Sequence, residues 1–207
     1  MKTVLKGKVA VITGGGSGIG RATGMLLARH GAKVVVLDRN AEAAQDVARE
    51  IELEGGHSIA VCADVACSAD VAAALEKIRH ETSKVDVLVN SAGIYVYRTA
   101  TSLEEEEWDN CLNIDLKGAW LCCKYFLPLM IAAGGGSIIN VASTHAVCAQ
   151  AHAFPYGVAK GGMLSLTLSL AADYGADGVR ANSICPGLVF SPLSNAYFAS
   201  IQHPDQE

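Results

Sequence analysis

The chain has 207 residues, 51% of them hydrophobic and 18% charged, with a net charge of −5. That apolar content excludes a disordered chain, and 21 glycines without a period beside only 5 prolines exclude a collagen-like fibre. The acidic balance argues against nucleic acid, which selects a basic face, and no apolar run approaches the roughly 18 residues that span a bilayer.

A chain of this size buries roughly 70% of its unfolded surface, enough for one core, so a single domain over residues 1–207 is expected. The basic start, Met1 to Lys8, is followed by an apolar stretch of only Val9 to Ile12, too short for a signal-peptide core. Seven cysteines form no CxxC pair, and the six histidines make no ligand pattern with them. Reduced thiols, a cytoplasmic setting and no metal site are therefore expected.

The first predicted strand is Val9–Thr13, a continuous apolar run of the kind covered on both faces. Thr13-Gly14-Gly15-Gly16-Ser17-Gly18-Ile19-Gly20 follows, and a helix is predicted over Gly18–His30. A strand, a glycine-rich turn and a helix start make an anion site, because backbone N–H groups point at a pyrophosphate and missing side chains let it approach. The spacing is Gly14-x-x-x-Gly18-x-Gly20 and not GxGxxG.

The second strand, Val34–Asp38, ends in an acid 18 residues after Gly20, where a carboxylate reaching the adenosine ribose belongs. Such a carboxylate accepts from ribose hydroxyls and repels a 2′-phosphate, favouring NAD over NADP. Ser17 agrees, since no basic side chain stands in the loop, whereas the neighbouring Arg39 is able to pair with a phosphate. A helix over Ala41–Glu54, a strand over Ser58–Asp64, a helix over Ser68–Thr82 and a strand over Val85–Asn90 follow.

One long helix is predicted over Leu103–Ala133, with Ser102 and Glu105 as a capping box and Glu104 to Glu107 as a solvated first turn. Cys122 and Cys123 read as small core residues on it. A strand over Ser137–Ala142 precedes a helix over Phe154–Tyr174, on which Tyr156 and Lys160 share a face. A free tyrosine has a pKa near 10, and a nearby ammonium lowers it, so the pair reads as a general acid/base. The sixth strand is Arg180–Cys185, with a short helix near Pro192–Ser200. The alternation implies an α/β fold: a doubly wound parallel sheet, helices on both faces, in the Rossmann manner.

The Gly14/Gly18/Gly20 loop, Asp64-Val65, Asn90-Ser91-Ala92-Gly93, Asn113, Ser143, Tyr156-x-x-x-Lys160 and Pro186-Gly187 occur together in one order. In these the chain resembles the single-domain, NAD(P)-dependent short-chain dehydrogenases/reductases over nearly its whole length. The resemblance implies hydride transfer between NAD(H) and a secondary alcohol or ketone. Tyr156 would exchange a proton with the substrate oxygen. Lys160 would lower the tyrosine pKa and bond the nicotinamide ribose. Ser143 would hold the substrate oxygen, and Asn113 would hold a water linking Lys160 to solvent. The implied cofactor contacts are Gly14, Ser17, Gly18, Ile19, Gly20, Asp38, Arg39, Asp64, Val65, Asn90, Ala92, Gly93, Tyr156, Lys160, Pro186, Gly187, Val189 and Ser191.

Ser91 and Ser191 depart from the family's usual residues, Ser191 keeping a hydroxyl. Ser143-Thr144-His145 and Phe154-Pro155-Tyr156 resemble the sugar and polyol dehydrogenases of the family. His145 and His152 flank Ser143 and Tyr156, and Tyr95, Tyr97, Phe154, Phe190 and Leu193 either line a pocket or pack. A 3-oxoacyl or steroid-type reductase is the alternative substrate class, and a catalytically weak nucleotide-binding protein the alternative function. The family usually continues into a substrate-covering segment and a seventh strand. Residues 188–207 are therefore expected to begin a shortened covering segment, with six strands, Arg180–Cys185 at an open edge and mobile residues beyond Ser191. A homodimer or homotetramer is expected, with the two long helices at its contact.

Overall fold

The computed structural model describes residues 3–195 and residue 198. Six strands form one parallel sheet in the order β3-β2-β1-β4-β5-β6. They are β1 (Val9–Thr13), β2 (Lys33–Asp38), β3 (His57–Cys62), β4 (Val87–Asn90), β5 (Gly136–Val141) and β6 (Val179–Ile184). The helices are α1 (Gly18–Arg29), α2 (Ala41–Leu53), α3 (Ser68–Glu81), α4 (Glu105–Leu112), α5 (Gly118–Ala132) and α6 (Phe154–Tyr174). The strand order reverses between β1 and β4, which opens a crevice beyond the carboxyl ends of these strands.

Every side chain of β1 is buried, and alternate residues serve opposite faces. Ala10, Ile12, Val34 and Val36 pack on Met25 and Ala28 of α1 and Val47 and Ile51 of α2. Val9, Val11, Val35 and Leu37 face the other layer, with Ile78 of α3, Phe126 and Met130 of α5 and Leu170 of α6. Cys122 and Cys123 lie fully within this second layer, and burial pushes the Cys123 thiol up to about 12. β6 is an outer strand of the sheet, paired with β5 in parallel from Gly136 opposite Val179 to Val141 opposite Ile184. Among the described residues no helix is long and apolar enough to cross a membrane.

The long predicted helix is corrected in two places. It starts at Glu105, not Leu103, and the Ser102 hydroxyl is taken by the Thr99 N–H at 3.1 Å. The cap is instead Glu104, whose N–H donates to the Glu107 carboxylate at 3.2 Å. The helix is also interrupted by a π-helical turn, Asn113–Lys117, between α4 and α5. The short helix begins with residues 192–195, while the rest of its predicted span lies mostly outside the described residues, as do most positions expected to be mobile.

The foot of the sheet is held by Asp86, whose carboxylate accepts from Lys8 Nζ at 2.8 Å, Lys84 Nζ at 3.0 Å and the Val9 N–H at 2.9 Å. Burial works against the Asp86 carboxylate, but Lys8, the Val9 N–H and Lys84 outweigh it and hold its pKa below the ordinary 3.8. A group lowered on folding stabilises above its unfolded pKa and loses that contribution as pH falls through the folded value. Asp86→Ala is expected to cost about 2 kcal/mol at neutral pH. In urea melts the gap to the parent chain should narrow as pH is taken below 3.8.

Candidate active site

The turn between β1 and α1 is built by close backbone approach. Gly14 has φ +62, and a Cβ there would sit 2.9 Å from the Ala92 Cα. A Cβ on Gly20 would overlap the Gly14 carbonyl oxygen, so α1 packs against the turn only without a side chain at that position. Thr13, which sequence reasoning passed over, clamps the turn: its Oγ1 accepts from the Ser91 and Ala92 N–H groups at 3.0 and 3.1 Å. Its position as the last strand residue before the glycines was the available signal. Asp38 closes the far side, accepting from the Gly16 N–H and the Asn40 N–H, both at 2.9 Å. Arg39 is exposed beside it.

A cleft of about 570 Å³ runs from this turn along the carboxyl ends of the strands. Gly14, Ser17, Gly18, Ile19, Asp38, Arg39, Asp64, Val65, Ala92 and Gly93 line the end beside the turn. Ser143, Tyr156 and Lys160 line it further along, with Pro186, Gly187, Val189 and Ser191 on the facing segment. Ser191 reaches the turn itself, 3.4 Å from where a Gly18 Cβ would stand.

Three expected site residues are not on the cleft wall. Gly20 lies beneath the turn. The Asn90 side chain points into the protein, where Nδ2 donates to Asn140 Oδ1 at 2.8 Å; Asn140 Nδ2 in turn donates to Thr167 Oγ1 at 2.8 Å. Asn113 is turned away: its Oδ1 accepts from Lys117 Nζ at 3.2 Å, one helical turn further on. The side chain this segment sends to Lys160 is Asp115, which the sequence reading did not single out. The π-helical turn changes the angular phase of these residues, so spacing alone could not show which one faces inward. Of the flanking side chains, Tyr95, His145 and Leu193 line the cleft. Tyr97 stacks on His152 with ring centres 5.0 Å apart, Phe154 packs near Trp108, and Phe190 is largely exposed.

Tyr156 and Lys160 stand one turn apart on α6, with Lys160 Nζ 5.5 Å from the Tyr156 ring centre. Ser143, just past β5, hydrogen-bonds the Tyr156 oxygen and accepts from the His145 N–H at 3.2 Å. Tyr95 packs 4.7 Å and His145 5.7 Å from the Tyr156 ring, centre to centre. Lys160 is buried; its Nζ donates to the Val141 carbonyl at 3.1 Å and lies 3.1 Å from Asp115 Oδ2.

Burial disfavours the Lys160 ammonium, but the Asp115 carboxylate and the Tyr156 oxygen hold its pKa above 10.5. Tyr156 is not lowered, as the pair alone had implied. Burial raises it above 10.0 and outweighs the help of Lys160 and Ser143, with Asp115 and Cys111 adding to the rise. Burial raises the Asp115 carboxyl from its ordinary 3.8, against the pull of Lys160 and the Ile94 N–H.

The family model for short chain dehydrogenases matches residues 8–202. The chain belongs to the short-chain dehydrogenase family. It is 38% identical over 191 residues to a D-threitol dehydrogenase of Mycolicibacterium smegmatis, covering 92% of this chain and 74% of that protein. It is 42% identical over 187 residues to a cis-4-hydroxycyclohexanecarboxylate dehydrogenase of Sinomonas cyclohexanicum, covering 90% and 75%. A gluconate 5-dehydrogenase of Burkholderia cenocepacia, solved in complex with NADP and tartrate, superimposes with a TM-score of 0.90 at 34% identity, covering 94% of this chain and 76% of that one. As a short-chain dehydrogenase this chain is an oxidoreductase of an NAD(P)-using family, and interconversion of an alcohol and a ketone fits its site.

Proposed function

We propose that the chain is an NAD-dependent oxidoreductase interconverting a secondary alcohol and a ketone, with a polyol or sugar-derived alcohol as its substrate class. The observation that carries the reading is the convergence of Ser143, Tyr156 and Lys160 on a cleft whose other end is the Gly14–Gly20 turn. The turn fits a dinucleotide, because side chains are missing where backbone N–H groups must approach a pyrophosphate. Bound NAD(H) supplies the hydride acceptor or donor. Around it the chain orients and moves protons. Gly14, Ser17, Gly18 and Ile19 would hold the pyrophosphate and Asp64 and Val65 the adenine side. Ala92 and Gly93 would form the wall after β4, and Pro186, Gly187, Val189 and Ser191 the wall facing it.

Ser143 would donate to the substrate oxygen and fix it beside the phenol. Tyr156 would give its proton to a ketone oxygen in reduction and take one from an alcohol in oxidation. Lys160 keeps a positive charge close to that exchange. The polyol reading is supported by the likeness to D-threitol dehydrogenase and by the polar lining that Thr144, His145 and Gln150 add next to Ser143. A homo-oligomer in contact through α5 and α6 is supported by Trp120, Val158 and Leu168, which stand exposed on these helices. A reducing, cytoplasmic setting is supported by Cys62, Cys67, Cys148 and Cys185, exposed thiols free of disulfides.

NAD over NADP rests on Asp38, whose carboxylate stands at the end of β2 where a 2′-phosphate would be repelled. The Burkholderia cenocepacia relative holds NADP, so the preference needs its own test. In Asp38→Ala the ratio of kcat/KM for NAD to that for NADP should fall by about tenfold or more, since a charged hydrogen-bond acceptor is lost. A parent chain already preferring NADP would assign the ribose end to Arg39.

Tyr156→Phe should lower turnover by a factor of ~100 or more while leaving the Kd for NADH nearly unchanged, because the phenol moves a proton and adds little to nucleotide affinity. Reduced-nicotinamide absorbance with a panel of polyols, sugar acids and hydroxyacyl compounds reads the first quantity, and fluorescence titration the second. Retained turnover in Tyr156→Phe would remove this residue from proton transfer.

A further inference from the structure

Asp115 lies at 0% exposure in the middle of the π-helical turn, an expensive place for a carboxylate unless it is paired. Two contacts hold it. Oδ1 accepts from the Ile94 N–H at 2.8 Å, and Oδ2 lies 3.1 Å from Lys160 Nζ. The wall after β4 makes room for the pair. A Cβ on Gly93 would stand 2.9 Å from Asp115 Oδ2 and 3.3 Å from Lys160 Nζ. A backbone donor and a missing side chain from the loop after β4, and an ammonium from α6, thus converge on one carboxylate.

We propose that Asp115 is a positioning residue for the Tyr156–Lys160 pair: it holds the Lys160 ammonium in place, offsets its charge, and so sets the pH range in which Tyr156 exchanges a proton. The catalytic half of this statement rests on the function proposed above; the electrostatic half does not. An ammonium beside a phenol favours the phenolate. A carboxylate 3.1 Å from that ammonium cancels part of the effect. Tyr156 therefore stays a phenol at neutral pH, the form that donates a proton to a ketone oxygen, and the alcohol-oxidising direction gains as pH rises.

Among the described residues Asp115 is the carboxylate paired with Lys160, and the other titratable groups around the pair are placed differently. Cys111 of α4 packs against Tyr156, with its thiol pushed up to about 12 by burial. His145 of the turn after β5 meets the Tyr156 ring edge-on. Tyr95 of the loop after β4 packs on the same ring. Asp64 of the loop after β3 lines the cleft, and its Oδ1 is engaged by the Ala66 N–H at 2.9 Å. Lys117, at the end of the π-helical turn, is exposed and bonded to Asn113.

The test is the tyrosinate absorbance titration of the full chain without cofactor, the Tyr156 transition being the one that Tyr156→Phe removes. In Asp115→Asn, which keeps an oxygen for the Ile94 N–H, that transition should move to lower pH by roughly one unit or more. The rising limb of kcat/KM for alcohol oxidation should move the same way, with KM for NAD little changed. An unmoved or raised Tyr156 transition would overturn the proposal. Should Asp115→Asn not fold, Lys160→Gln is compared with the Lys160→Gln/Asp115→Asn double variant, which buries no unpaired charge. Tyr156 should titrate lower in the double variant, and equal values would again overturn the role. A shifted titration with no turnover on any alcohol would instead leave Asp115 as stated and overturn the proposed function.

Discussion

Lys160 carries an ammonium into a place that is 4% exposed, and the fold around the cleft is arranged to receive it. A buried charge is tolerated only with partners of good geometry. The Val141 carbonyl at the end of β5 accepts a hydrogen bond from it, and Asp115 from the π-helical turn faces its charge. α6 supplies Lys160 and, one turn earlier, Tyr156. The register of β5 and the phase of the turn between α4 and α5 are therefore tied to the placement of one side chain. Misplacing either would leave a buried charge unpaired, at a cost far larger than that of a surface defect.

The end of the cleft at the Gly14–Gly20 turn depends on an opposite device, the absence of side chains. The Gly14 and Gly20 backbones approach too closely for a Cβ, and Thr13 ties the turn to the loop after β4. That loop then runs on through Gly93 to the Asp115–Lys160 pair. A single stretch, Ser91 to Ile94, thus joins the glycine turn to the Tyr156–Lys160 end of the cleft. Beneath it Asn90, Asn140, Thr167 and Ser183 form a buried chain of hydrogen bonds linking β4, β5, α6 and β6. The walls of the cleft are held from below by this chain of polar side chains.

The six strands were legible within two residues because a buried parallel strand is an apolar run bounded by turns, and both signals are local. The ends of α1, α2, α3 and α6 were legible for similar reasons. The segment from Leu103 to Ala133 was not, since a π-helical turn has no residue signature of its own. That one irregularity explains the exchange of Asn113 for Asp115. That Gly14, Ser143, Tyr156 and Lys160 line one cleft could be expected from motif and order. The sign of the Tyr156 shift could not. It depends on burial and on a carboxylate 41 residues earlier in the chain, brought to Lys160 only by the packing of α6 on the π-helical turn.

The most direct test of this arrangement is the protonation of Lys160 itself in the cofactor-free chain. Side-chain NMR of isotope-labelled lysine, with the Lys160 signal identified by its loss in Lys160→Met, follows that titration separately from the surface lysines. The expected result is a Lys160 that stays charged to a pH above 10.5, held by Asp115 and the Tyr156 oxygen in spite of its burial. A Lys160 that loses its proton below the ordinary lysine value would show that burial wins over its partners, and the charge on which the site is built would not be there.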